Sequence, residues 1–266
     1  MGNVSERRKQ PPQVGVSVVI LALGPVPQSD VGAGAASSGM GSTLWMPLVK
    51  RVRQPFLGQW ALPGGGLRAD HSLEQSAYAA LESTTSLHPK YLEQLYTFGD
   101  PARSHGGLPM GSIVYWALVG EADGRIDFAG GDNVKWFPVN HLPELAFDHR
   151  TIVEYAMNRL RGKIESPDIA TRLVGERFTL SQLHDVYEAI AGQRIDLANF
   201  RRKMLASGLL EDTGEKLRIG RNRPAVYRYS RKPGTDLWTE AGTASESDDT
   251  RIAFQDDDAL SALMTA

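Results

Sequence analysis

The 266-residue chain has no cysteine. That excludes disulfides, a thiolate nucleophile and any zinc site built on thiolates, and it fits a reducing, cytoplasmic setting. Its six histidines are scattered, so no metal cluster is suggested. No apolar run is long enough to cross a bilayer; Val14 to Leu23 is only ten residues and reads as a buried strand, so no membrane partner is expected. Arg7, Arg8 and Lys9 are followed by Pro11 and Pro12 without an evident small-residue cleavage site, which reads as a disordered basic arm over residues 1–12. What is present is ordinary for a folded chain: 41% apolar and 23% charged residues, enough for two modest domains.

The net charge of −2 conceals an uneven distribution. Residues 1–162 carry 14 basic and 14 acidic side chains, residues 163–232 carry 14 and 9, and residues 233–266 carry 1 and 8. A middle segment of +5 beside a neutral one suggests a polyanionic partner. The acidic tail of −7 has the composition of a disordered segment.

Val14 to Leu23, Thr43 to Lys50, Leu92 to Phe98, Ser112 to Val119 and Lys135 to Val139 read as strands. Gly24 to Ser42 has too little apolar content to pack and is expected to be mobile. A helix from His149 to about Arg161, capped by Asp148, would bury Ile152, Tyr155, Ala156 and Leu160. Strands mixed with two helices suit an α/β sandwich over residues 13–162, and Arg161 to Pro167 reads as a linker.

Between strands two and three lies the stretch around which the front half is organised, LPGGGLRADHSLEQSAYAALESTTSL, from Leu62 to Leu87. Pro63 to Gly66 form an open turn, Ser72 and Gln75 have capping-box spacing, and Leu73, Ala77 and Leu81 give the following helix an apolar stripe. This frame resembles a Nudix box, with Gly65 on its first glycine and Leu81 and Leu87 on its two apolar positions. The box's acids are missing. His71 stands at the first glutamate, Ala79 and Ala80 at the Arg-Glu pair, Ser83 and Thr84 at the Glu-Glu pair, and Ser86 at the closing glycine. In the family those carboxylates hold magnesium against a diphosphate, and hard cations need oxygen ligands. Glu74 and Glu82 fall on positions the pattern leaves free and read as solvated acids. His71 reads as an exposed loop residue. The resemblance thus implies a Nudix α/β/α sandwich with a mixed sheet, no metal and no catalytic residues.

In the back half, Thr179 and Gln182 form a second capping box. Leu183, Val186, Tyr187 and Ile190 recur with helical spacing until Gly192, and Asp196 caps another helix ending at Gly208. A hairpin follows, with Leu217 and Ile219, a loop at Gly220 to Pro224, then Ala225, Tyr227 and Tyr229 on one face. Together these read as a winged helix-turn-helix over residues 163–232. On the second helix Leu197, Phe200 and Met204 define the buried side, and Asn199, Arg202 and Ala206 the outer one. Asn199 and Arg202 are the candidate base readers, since asparagine can fork onto adenine and arginine onto guanine. Arg201 and Lys203 flank them, and Arg218, Arg221 and Arg223 on the hairpin are candidates for phosphates or the minor groove. A solvated basic face on a protein-binding winged helix is the alternative; the clustering of cations on helix and hairpin tip favours DNA.

A Nudix domain followed by a winged helix resembles the Nudix-related regulators of NAD metabolism, the NrtR family, most specifically over Glu176 to Tyr229. The resemblance implies a cytoplasmic homodimer, nucleoid-associated when bound, that represses genes of NAD synthesis or salvage at palindromic double-stranded operators. It also implies no cofactor, but a nucleotide effector such as ADP-ribose. For that ligand the candidates are Arg53, Trp60, Arg68, Arg103, Trp136 and Phe137: tryptophan can stack adenine, and arginine can pair bidentately with diphosphate. Core packing and idle surface charge are the alternative roles. The competing functions are an active Nudix hydrolase of ADP-ribose or another nucleoside diphosphate derivative, and a partner-binding scaffold.

Overall fold

The chain's structure is a computed structural model, described over residues 13–27, 41–89, 91–104, 110–120, 126–164 and 167–230. Its first strands are β1 (Gln13–Pro25), β2 (Ser42–Lys50), β3 (Trp60–Ala61), β4 (Gly64–Gly66), β5 (Tyr91–Phe98), β6 (Met110–Val119) and β7 (Val134–Pro138). Residues 14–23 are apolar at almost every position because β1 is the central strand of a mixed sheet covered on both faces. It runs parallel to β6 and antiparallel to β2 and β4, in the order β3-β2-β1-β6-β5, with β7 alongside β2. Alternation then sorts its side chains. Val16, Val18 and Ile20 face helix α1 (Leu73–Thr85) through Ala77 and Leu81. Val19 and Leu21 join Leu44, Met46, Trp116 and Leu118 beneath helix α2 (His149–Gly162), which contributes Ile152, Ala156 and Leu160. This is the expected sandwich.

The stretch read as a linker, Arg161 to Pro167, is flanked by two helices. Helix α2 continues to Gly162, and an unanticipated helix, α3 (Pro167–Val174), packs Ile169, Ala170 and Leu173 into the core beneath the sheet. Its eight residues are too few to show a clear period in the sequence. Helices α4 (Leu180–Ala191) and α5 (Leu197–Ala206) and the strands β8 (Leu210–Lys216) and β9 (Ala225–Tyr229) complete the winged helix. Phe178 exchanges backbone hydrogen bonds of 3.0 and 2.7 Å with Tyr227, tying the hairpin to the start of α4. Helix α4 lies against β2, and one apolar cluster runs without a break from Val19 to Phe200 and Tyr229.

Polar contacts fasten the same junction. Arg161 Nε donates to the Ile190 carbonyl at 3.3 Å, and Arg172 lies over the Tyr91 ring at 5.4 Å. Glu93 accepts from Tyr91 and from Lys163 Nζ and Trp116 Nε1, both at 3.3 Å. Burial works against its carboxylate, but those partners hold its pKa below the usual value. A Cβ on Gly120 would come within 2.5 Å of the Arg172 carbonyl oxygen, so only glycine permits this approach of strand to helix.

Other expectations need correction. Asp148 occupies the N-cap of α2 but makes no capping bond, because its carboxylate holds Arg103. Tyr155 is only half-buried, in an aromatic trio with Tyr96 and Phe98. Leu197 is exposed rather than on the buried side of α5. The first hairpin strand begins at Leu210, and Leu217 and Ile219 lie beyond it toward the tip. The basic arm, most of the Gly-rich insert and the acidic tail lie outside the described residues.

Candidate nucleotide pocket and nucleic-acid interface

The Gly-rich turn becomes strand β4, pressed so closely on β1 that a Cβ at Gly64 would stand 2.3 Å from the Val16 carbonyl oxygen. Helix α1 starts immediately afterwards with the predicted capping box: Ser72 Oγ accepts from Gln75 N at 3.1 Å, and Gln75 Oε1 accepts from Ser72 N at 2.8 Å. Turn and helix enclose a cavity of about 210 Å³ lined by Val16, Gly64 to Gly66, Arg68, His71, Ser76, Ala79, Ala80 and Ser83. Three of its lining residues, His71, Ala80 and Ser83, stand where Nudix acids belong. Among the described residues no carboxylate lines it. Both wall hydroxyls donate within the helix, Ser76 to the Ser72 carbonyl at 2.9 Å and Ser83 to the Ala80 carbonyl at 3.0 Å. This donor set does not fit a magnesium ion, which takes carboxylate and water oxygens. Glu74 and Glu82 are exposed and outside the lining, Glu82 facing His88 at 3.8 Å. His71 is not the exposed residue expected: it is half-buried, with its Nδ1 enclosed and without a hydrogen-bond partner.

The six ligand candidates do not converge. Arg68 is at the cavity, exposed and in a fork with Asp70 at 3.0 and 2.9 Å; hydrogen bonding from Arg68 draws the Asp70 carboxyl down to about 2. Trp60 and Phe137 meet edge to face, 5.1 Å apart, on the α2 side of the sheet. Trp136, next to Phe137 on β7, points to the opposite face and packs on Phe128. Arg103 is 7% exposed, its Nε 2.6 Å from Asp148 Oδ2 and its Nη1 donating to the Phe98 carbonyl at 2.5 Å, an anchor for the start of α2. Arg53 is exposed on the Arg51 to Ala61 segment. Only Arg68 borders the cavity beside the box.

In the back half, two of the candidates meet on α5 and the others lie on that helix and the hairpin. Gly192, at φ +71°, ends α4, and Asp196 caps α5 by accepting from Asn199 N at 2.7 Å. Phe200 and Met204 root α5 in the core, so Arg201 and Arg202 stand outward, with Asn199 and Lys203 half-buried beside them. Arg202 Nη2 donates to Asn199 Oδ1 at 2.8 Å, which ties the two base-reader candidates to each other. Arg201, expected along a helix edge, bonds Ser181 Oγ at 3.0 Å. Arg218, Arg221 and Arg223 are exposed on the hairpin, with no acidic partner among the described residues.

A model for the NrtR DNA-binding winged helix domain matches residues 170–229, and one for the NUDIX domain matches residues 33–156. The crystal structure of Shewanella oneidensis NrtR with a 27mer DNA is 32% identical and superposes with a TM-score of 0.62, covering 82% of this chain and 93% of that one. The chain belongs to the NrtR family. It is also 29% identical over 187 residues to the ADPR responsive transcriptional repressor NtrR of Acinetobacter baylyi, spanning 69% of this chain and 74% of that protein. An ADP-ribose pyrophosphatase of Methanocaldococcus jannaschii is 31% identical over 118 residues, 43% of this chain and 67% of that enzyme.

Two supports of this NrtR-family chain escape residue spacing. His149 Nδ1 accepts from Leu62 N at 2.9 Å, pinning the residue before the Gly-rich turn, and burial lowers its pKa to about 4. In the turn between α4 and α5, Glu188 Oε1 accepts from Ile195 N at 2.9 Å and His184 Nε2 meets the Ile195 carbonyl at 2.8 Å. His184, Asp185 and Glu188 lie close enough to ligate a cation, but His184 and Glu188 are engaged in holding that turn. The spacing His184, Asp185, Glu188 was the available signal, readable only once Ile195 is known to fold back on it.

Proposed function

We propose that this chain is a transcriptional repressor of NAD synthesis or salvage genes that responds to ADP-ribose or a related NAD-derived nucleotide. Residues 163–232 grip palindromic operator DNA as half of a homodimer in the cytoplasm, associated with the nucleoid when bound. Residues 13–162 bind the nucleotide without turning it over. The reading rests on one observation: the exposed cations stand on α5 and on the hairpin, whose buried residues Phe200, Met204 and Tyr229 belong to one apolar cluster with the Nudix core. Asn199 and Arg202 read bases, and Arg201, Lys203, Arg218, Arg221 and Arg223 meet phosphate. A nucleotide that favours one arrangement of the two halves must then alter operator affinity, and DNA must alter nucleotide affinity by the same factor. Arg68 is the contact we assign to the nucleotide's diphosphate, exchanging its Asp70 partner for it.

The test titrates a labelled duplex from the chain's own promoter with protein, then with ADP-ribose, NAD and related nucleotides. Expected are salt-dependent binding, a shift with one nucleotide, and loss of at least about tenfold in affinity in Arg202→Ala with Arg223→Ala. Duplex binding unchanged in that double variant overturns the contact face. Magnesium-dependent release of AMP from ADP-ribose would overturn the non-catalytic pocket in favour of the hydrolase.

A further inference from the structure

The hairpin carries a second chemistry at its tip. Lys216 pairs with Ala225, and Ile219 exchanges two 3.0 Å backbone hydrogen bonds with Asn222, around a two-residue loop in which Gly220 has φ +59°. Leu217 N donates to the Pro224 carbonyl at 3.0 Å, so the register is continuous. Strand alternation then places Leu217, Ile219, Asn222 and Pro224 on one face and Arg218 and Arg223 on the other, with Arg221 in the loop. Leu217 is 41% exposed and Ile219 49%. An ordered hairpin end that leaves nearly half of each aliphatic residue in water gains only part of their burial in the free protein.

The charge around them selects the partner. Along the hairpin strands the charges are paired, Arg228 on β9 with Glu211 at 2.9 Å and Glu215 on β8 with Arg177, from the segment before α4, at 2.8 Å. At the tip Arg218, Arg221 and Arg223 have no such acid among the described residues. An aliphatic face with unneutralised guanidinium groups in the loop and on the reverse face of the same tip fits a surface that is anionic at its rim and apolar within, and the minor groove of duplex DNA, with phosphates outside and sugar walls inside, is that surface.

We propose that Ile219 is an apolar wedge: resting on the DNA-binding reading above, the tip enters the minor groove and Ile219 presses on the sugars at a base step that opens easily. It thereby contributes preference for deformable pyrimidine–purine steps at positions no hydrogen bond reads. Leu217 backs it from the same face.

A wedge and a phosphate contact leave different signatures. The probe is a duplex selected from a random-sequence pool by the full-length wild-type chain, with affinity measured across a salt series. Ile219→Ala is expected to weaken binding about tenfold with an unchanged salt slope. Arg221→Ala is expected to lower that slope by about one. Ile219→Leu should restore most of the affinity, and replacing the deformable step under the wing should cost the wild type more than it costs Ile219→Ala. Wild-type affinity in Ile219→Ala, or a change only in its oligomeric state, overturns the wedge while leaving the DNA-binding reading standing. Failure of the wild-type chain to select any duplex overturns both.

Discussion

Arginine is used in opposite ways at the start of α2 and at the tip of the wing. Beside α2 Arg103 is sealed against Asp148 and the Phe98 carbonyl. On the wing, Arg218, Arg221 and Arg223 project into solvent without an acid among the described residues. A guanidinium whose donors are already satisfied stabilises a fold, whereas one left open is free to meet a polyanion. Sequence gives both the same letter, so burial and the nearest carboxylate have to decide which role each has.

The largest effect that can break this contrast is at the sealed pair. Arg103→Met leaves Asp148 with an uncompensated charge in a mostly buried position and is expected to cost about 3 to 5 kcal/mol. Thermal unfolding would show it as a fall of many degrees, whereas Arg221→Ala should leave the melting curve in place. Equal melting of Arg103→Met and wild type would mean that the buried ion pair is not an anchor.

His149 sharpens the contrast in the pH dimension. In the folded state its pKa is lowered to about 4 by burial, beneath the usual value of 6.5. Above pH 6.5 the imidazole is neutral folded or unfolded, and the stability it contributes is complete. As pH falls from 6.5 toward 4, only the unfolded chain takes up the proton, so stability declines, by about 3 kcal/mol in all. His149→Gln, which can still accept from Leu62 N, should lose that part of the pH dependence. A wild-type melting temperature that stays level over this range would show that His149 protonates as readily in the fold as outside it.

Much of this was legible because the relevant signals were local. Ser72 with Gln75 and Thr179 with Gln182 mark two helix starts, and both capping boxes form. Residues 14–23 announce a strand covered on both sides, and the missing acids of the box could be counted by spacing. The rest depended on contacts distant in sequence. Arg103 and Asp148 are 45 residues apart and His149 and Leu62 are 87 apart, and no periodicity connects them. Trp136 and Phe137 looked equivalent until β7 sent them to opposite faces. Helix α3, just beyond the stretch read as a linker, shows no clear period because residues 167–174 make barely two turns.

The finest test of the division of roles compares two caps of similar strength. Ser72 holds the first turn of α1, whose next turn walls the cavity, and Asp196 holds the first turn of α5, where Asn199 and Arg202 sit. Replacing either by alanine removes a hydrogen bond to a backbone N–H in a largely solvated turn, so each should lower stability by about 1 kcal/mol. Their functional consequences should part. Asp196→Ala frees the Asn199 amide and loosens the turn that aims Arg202, so duplex affinity should fall several-fold, whereas Ser72→Ala should leave duplex affinity alone and weaken nucleotide binding. Equal losses of duplex affinity in the two variants would mean that the continuous core passes local fraying from one half to the other, and that the two sites are less separable than the placement of their side chains implies.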